Sequence, residues 1–196
     1  MVLQSPIHGI KFGKTGEYQP WPEKTLEHFL ENAEPDMRDA AMLAVYTGQR
    51  RGDVIAMRWS DIDDDMIRVT QQKTGARLAI PIHPDLADHL PKIQKNAITI
   101  LSTPIGRQWG ANTFAKRFKA ETDRLGITGL VFHGFRKTAT VRLAEAGCST
   151  ELIKAITGHT TDAMISYYAK GANQERLARK AIAKLVPNNA KKQGKP

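Results

Sequence analysis

Between His133 and Tyr168 the sequence places two histidines, an arginine and a pair of tyrosines. They read as His133-Gly134-Phe135-Arg136, then Thr157-Gly158-His159, then Tyr167-Tyr168. All are groups that act on a phosphodiester without a metal. Arginine is a permanent cation whose fork fits two phosphate oxygens. Histidine gives or takes a proton near neutral pH, and tyrosine can serve as a covalent nucleophile. The set lacks a second phosphate-binding arginine and a proton donor for a leaving group. Tyr46-Thr47-Gly48-Gln49-Arg50-Arg51-Gly52-Asp53 supplies the arginine. Arg50 falls at a helix–helix junction, and Asp53, one turn on, can buttress its guanidinium or a neighbouring histidine. Lys73 stands in the link between two strand-like runs, with Arg77 close behind it. Taken singly, each has an ordinary structural use: core histidines, a paired Arg–Asp, a solvated hairpin lysine, a core tyrosine.

These residues need a scaffold, and the hydrophobic pattern describes one. Leu26, Phe29 and Leu30 share a helical face after Trp21-Pro22. A second helix is predicted over Met37–Thr47 and ends at Gly48. A third starts near Gly52-Asp53 with Val54, Ile55 and Met57 inward. Ser60 to Asp65 reads as a turn. Met66–Thr70 and Arg77–Ile80 read as two short strands joined through Lys73-Thr74-Gly75-Ala76, and Ile98–Leu101 as a third. A short helix is expected from Pro84 to Ile93. Asn112 is expected to cap a helix running to Leu125, with Phe114, Phe118 and Leu125 inward. Its Lys116, Arg117, Lys119 and Arg124 should face outward, towards a polyanion. Helices near 134–146, 150–157, 162–169 and 173–185 complete the set. The fold class is therefore mainly α with a small antiparallel β-sheet (α+β). Residues 1–20, rich in Gly and Pro, read as a linker; 21–186 form one folded domain; 187–196 read as a basic flexible tail.

Composition narrows the function. Lys+Arg 29 against Asp+Glu 20 gives a net charge of +9, which favours a polyanionic partner, most simply nucleic acid. A single cysteine, Cys148, excludes an internal disulfide and a Cys-based zinc site. No apolar run is long enough to span a membrane and no signal-peptide core opens the chain, so an intracellular protein is expected. Gly13-Lys14-Thr15 lacks the preceding glycine and strand of a phosphate-binding loop, and no nucleotide site is assigned there.

Arg50 with Asp53, Lys73 between strands, His133-x-x-Arg136, Gly158-His159 and then Tyr168 resemble, in type and order, the tyrosine recombinase (phage integrase) family. Trp59-Ser60-Asp61-Ile62-Asp63 resembles the family's pattern after its first arginine. The likeness runs from about Trp21 to Leu185, essentially a catalytic domain. Asp53 stands where Glu is frequent in the family, Gly134 where Asp is common and Thr157 where Leu is common; Arg51 and Gly52 also depart from it. The resemblance implies site-specific strand exchange on double-stranded DNA with no cofactor, metal or ATP. Arg50, Arg136 and His159 would hold the phosphate oxygens, and Tyr168 would form a 3′-phosphotyrosyl link. His133 would accept the tyrosine proton, and Lys73 would protonate the departing 5′-oxygen. It further implies a homo-tetramer on DNA, a monomer for the isolated domain, a docking role for residues 187–196 or the helix before them, and a bacterial or phage-encoded protein of the cytoplasm and nucleoid. A type IB topoisomerase-like enzyme and a non-catalytic DNA-binding module are the alternatives. A metal-dependent nuclease is disfavoured, because the one carboxylate run, Asp61 to Asp65, reads as a hydrated turn.

Overall fold

The computed structural model describes residues 18–160, together with the helical positions Ala178 and Ile182. In order come α1 (Glu23–Asn32), α2 (Pro35–Thr47), α3 (Arg51–Ala56), β1 (Ile62–Asp63), β2 (Met66–Thr70) and β3 (Arg77–Pro81). They are followed by α4 (Pro84–His89), α5 (Ala111–Arg124), α6 (His133–Glu145) and α7 (Thr150–Thr157). The fold is mainly helical with one small antiparallel sheet. Residues 1–17, the expected helix at 162–169, most of that at 173–185, and the 187–196 tail lie outside the described residues.

Helix α6 is the centre of the arrangement. Every residue from Gly134 to Val141 is buried, the pattern of a helix covered on most of its faces rather than on one stripe. Its aromatic neighbours are Trp21, stacked on Phe135 with ring centroids 4.4 Å apart, and Phe29, Phe118 and Phe132, at 5.3 to 5.8 Å. A helix so enclosed must satisfy its polar groups internally. Thr140 Oγ1 donates to the Arg136 carbonyl at 3.0 Å, and Thr138 Oγ1 accepts from the Trp21 N–H at 2.8 Å.

That last bond draws residues 18–21 across the start of α6, and it explains Gly134. A Cβ there would stand 2.6 Å from both the Gln19 carbonyl oxygen and Trp21 Cδ1. No side chain fits, least of all the aspartate common in the resembled family. Gly134→Ala should therefore lose about 1–3 kcal/mol of stability to overpacking, more than its gain in helix propensity of about 1 kcal/mol. Urea unfolding measures this, and an unchanged or higher midpoint would mean that the Gln19–Trp21 strap yields freely.

The sheet differs from expectation. Strands β2 and β3 pair antiparallel, Ile67 opposite Ile80 and Thr70 opposite Arg77. The third strand, however, is β1, inside the acidic run expected to be a turn, with Ile62 opposite Ile67. Asp64, with φ 53°, makes the reversal, and aspartate tolerates that left-handed conformation better than most residues. Ile98–Leu101 is not a strand. It makes one bridge, Thr99 with Arg58, where Met57–Trp59 pass beside it after leaving α3. Ile100 and Leu101 are core residues all the same.

Helix α5 also starts earlier than expected, capped by Gly110 rather than Asn112. Its Lys116, Lys119 and Arg124 are exposed, but Arg117 turns inward. There it grips Asp36 of α2 at 2.8 and 3.0 Å and Glu121 at 2.8 Å. Burial alone would raise the Glu121 pKa, but hydrogen bonds from Arg124, the Glu34 N–H and Arg117 overcome it and hold the carboxyl at about 2. Arg117 is thus a tie between α2 and α5, not a free cation for an outside partner.

Candidate active site

Two helices end at the same place. Helix α2 stops at Gly48 (φ 65°) and α7 at Gly158 (φ 66°), both left-handed caps that glycine takes without strain. Helix ends leave carbonyls without intrahelical partners, and here one cation collects two of them. Arg136, in the first turn of α6, donates from Nη1 to the Gly48 carbonyl at 2.7 Å and the Thr157 carbonyl at 2.6 Å. Only 2% of Arg136 is exposed. Burial, and then the field of Arg50, push its pKa down to about 9, with Asp53 opposing; it stays charged at neutral pH. Among the described residues its buried Nη2 has no hydrogen-bond partner. A buried cationic donor without a partner is costly, and an anion would satisfy it.

Arg50 is the residue immediately before α3 and lies near enough to Arg136 to repel it. Its Nη1 donates to Gln71 Oε1 at 2.9 Å, whereas Asp53 Oδ2 is 4.0 Å away, an ion pair but not a hydrogen bond. Asp53 is buried and accepts the Gln72 N–H at 2.8 Å through Oδ1. It therefore secures the end of β2 as well as facing Arg50. Lys73 sits exposed in the turn between β2 and β3, and its charge is felt at His133. Arg77 opens β3, paired to Thr70 and exposed.

His133 is the first residue of α6, half-buried, its ring 5.2 Å from that of Tyr18. His159 follows Gly158, also half-buried, with Nδ1 2.7 Å from Thr157 Oγ1. The Thr157 hydroxyl has one proton, and the Ile153 carbonyl lies 2.7 Å from the same oxygen. When that proton goes to Ile153, His159 must carry its own on Nδ1. When it turns to His159, or the ring is protonated, Nε2–H is free to donate. Both histidines are pushed from 6.5 down to about 4, first by burial and then by Arg136. Both are therefore neutral at pH 7 in the free protein.

A pH dependence follows. The unfolded chain takes up these two protons near pH 6.5, and the folded chain only near pH 4. The stabilising contribution is complete above pH 6.5 and is lost as pH falls towards 4. Urea midpoints between pH 7.5 and 4.5 should drop more steeply for the unsubstituted chain than for the His133→Asn/His159→Asn double variant. Parallel curves would contradict the depressed values.

Arg50, Arg136, His133, His159 and the Lys73 hairpin are thus gathered around the coincident ends of α2 and α7 and the start of α6. Tyr167 and Tyr168 lie outside the described residues. Gln49 and Gln71 carry no signal in the sequence, yet they are 1% and 0% exposed; two glutamines so deeply buried must be polar partners of something, but only the fold says of what.

The phage integrase family matches residues 22–175. The chain belongs to that family. The integrase of Escherichia phage lambda is 32% identical over 152 residues, 71% of this chain and 42% of that protein. The integrase of Escherichia phage HK022 is 31% identical over 152 residues, with the same coverage. Among solved structures, the lambda integrase catalytic core aligns with a TM-score of 0.61 and 28% identity, over 73% of this chain and 92% of that one. A lambda integrase tetramer bound to a Holliday junction aligns with a TM-score of 0.69 and 27% identity, over 82% of this chain and 50% of that one. The chain spans about two-fifths of the length of these curated phage relatives. Among the described residues of this integrase-family chain, no helix is long and apolar enough to cross a membrane.

Proposed function

We propose that this chain is the catalytic domain of a site-specific DNA recombinase that cleaves and rejoins double-stranded DNA through a 3′-phosphotyrosyl intermediate. The observation that carries the reading is the buried Arg136, anchored by Nη1 and unpartnered at Nη2, beside Arg50 and the neutral His159. Charge builds on the non-bridging oxygens during phosphoryl transfer. Two guanidiniums held in a partly desolvated site stabilise that charge, joined by the His159 Nε2–H when the Thr157 hydroxyl turns to Nδ1.

The steps balance without a metal or ATP. Tyr168 Oη attacks phosphorus in line, forming the P–O(Tyr) bond as the P–O5′ bond breaks. His133, neutral, accepts the tyrosine proton, and Lys73 gives a proton to the departing 5′-oxygen. Asp53 and the hairpin hold Arg50 and Lys73 in register. In rejoining, a 5′-hydroxyl attacks the phosphotyrosine and both protons return. The domain acts in the cytoplasm, on the nucleoid, as a tetramer bridging two duplexes, and is monomeric by itself; residues 187–196, or the segment before them, would contact a neighbouring protomer there.

Incubation with a nicked suicide duplex, in chelator, tests this reading: a denaturant-stable protein–DNA adduct should form. Non-covalent DNA binding should weaken with salt along a log–log slope near −0.9 per phosphate neutralised. Strand cleavage that leaves no adduct and needs added divalent metal would point to a nuclease. Relaxation of a supercoiled plasmid without pairing of two sites would favour the topoisomerase-like reading.

A further inference from the structure

The buried side chain of Gln71 touches more of the site than any group assigned a chemical role. Its Oε1 accepts from Arg50 Nη1 at 2.9 Å and from Thr74 Oγ1 at 2.7 Å. Its Nε2 donates to Gln49 Oε1 at 2.6 Å and to the Thr157 carbonyl at 2.8 Å. Both lone pairs and both protons of the amide are used. The Thr157 carbonyl is also an acceptor for Arg136, and the Thr157 hydroxyl is the neighbour of His159. The Gln71 backbone closes the turn that carries Lys73, its N–H donating to the Ala76 carbonyl and its carbonyl accepting from the Gly75 N–H, each at 2.8 Å. Gln49 completes the link by donating to the Thr47 and Ile156 carbonyls, one at the end of α2 and one near the end of α7.

The fit is close. A Cβ on Gly158 would stand 2.5 Å from Gln71 Nε2, so the glycine that ends α7 also makes room for this amide. A side chain with no exposed surface and four hydrogen bonds to three chain segments is held in one rotamer, and it holds what it touches.

We propose that Gln71 is a positioning residue for phosphoryl transfer, coupling the Arg50 guanidinium to the Lys73 hairpin and the α7 terminus so that clamp and acid are set together. The proposal rests on the recombinase reading. Through Oε1, Gln71 fixes which Arg50 N–H groups remain for the phosphate. Through Thr74 it fixes the turn from which Lys73 reaches the 5′-oxygen. A carboxylate in its place would be wrong twice over: it has no donor for Gln49 or Thr157, and it would neutralise Arg50.

Substrates that relieve one demand at a time separate positioning from mere stability. A cleavage site is first selected from random-sequence nicked duplexes by covalent capture on the unsubstituted chain. Single-turnover adduct formation is then measured on that site as an ordinary phosphodiester, as a neutral methylphosphonate, and as a 5′-bridging phosphorothiolate. On the ordinary duplex Gln71→Met, similar in volume but apolar, should be slower than the unsubstituted chain by about 10- to 100-fold, the loss for hydrogen bonds to a charged group. On the methylphosphonate, which leaves less charge for Arg50 to neutralise, that ratio should shrink several-fold. Thr74→Val, at an exposed position where folding is not at risk, should slow cleavage of the ordinary duplex and recover on the phosphorothiolate, whose sulfur leaves without a proton. Equal ratios for Gln71→Met on all three duplexes would overturn the proposal, as would ordinary-duplex rates for Thr74→Val indistinguishable from the unsubstituted chain. Capture of no duplex at all by the unsubstituted chain would instead remove the recombinase reading, and this proposal with it.

Discussion

Tyr168→Phe should form no covalent adduct with a suicide duplex, while Tyr167→Phe should form it at close to the unsubstituted rate. The substitution keeps the ring and removes only the nucleophilic oxygen, so folding and non-covalent DNA binding should barely change. In the helix expected over 162–169, adjacent residues would point about 100° apart, so at most one of the pair would face the phosphate. The order His159 then Tyr168 matches the resembled family's spacing, which selects the second tyrosine. Denaturing gels of both variants against the unsubstituted chain measure this. Adduct surviving in Tyr168→Phe would overturn the assignment of the nucleophile.

Lys73→Ala should slow cleavage by roughly 10²–10⁴-fold, the range for a lost general acid. Its exposed place in the turn means the loss cannot be put down to the core. The diagnostic is rescue. A 5′-bridging phosphorothiolate expels a sulfur that needs no proton, so it should restore cleavage to Lys73→Ala and leave Tyr168→Phe inactive. If the phosphorothiolate rescues Arg77→Ala but not Lys73→Ala, the acid is Arg77. The structure gives Arg77 a less suitable place, at the start of β3 and across the ladder from Thr70.

Much of the scaffold was legible because it rests on local signals. Gly48 and Gly158 end helices where left-handed caps are needed, and Leu26, Phe29, Phe114 and Phe118 mark buried faces at helical spacing. The candidate residues were legible because chemistry restricts them to few types. What escaped depends on neighbours distant in sequence. Gln71 is an uncharged residue at the edge of a hairpin, and its importance appears only where Arg50, Gln49 and Thr157 come to meet it. Arg117 has the spacing of an outward cation, yet Asp36 on another helix and the buried Glu121 claim it. Ile98–Leu101 is rich in β-formers but finds no strand beside it. Ile62-Asp63, poor in them, pairs because β2 turns back directly onto it. Gly134 looked like a departure from the family and is instead a requirement, set by the Gln19–Trp21 strap.

The central claim is that a phosphotyrosine at position 168 joins this chain to the 3′ end of cleaved DNA. Nuclease and trypsin digestion of the adduct trapped on a suicide duplex, followed by mass spectrometry, tests it directly. Trypsin should release the stretch from Ala155 to Lys170, AITGHTTDAMISYYAK. This peptide should carry a 3′-linked nucleotide on Tyr168, and the released strand a free 5′-hydroxyl. A nucleotide on any other residue, or linkage through a 5′-phosphate, would contradict it.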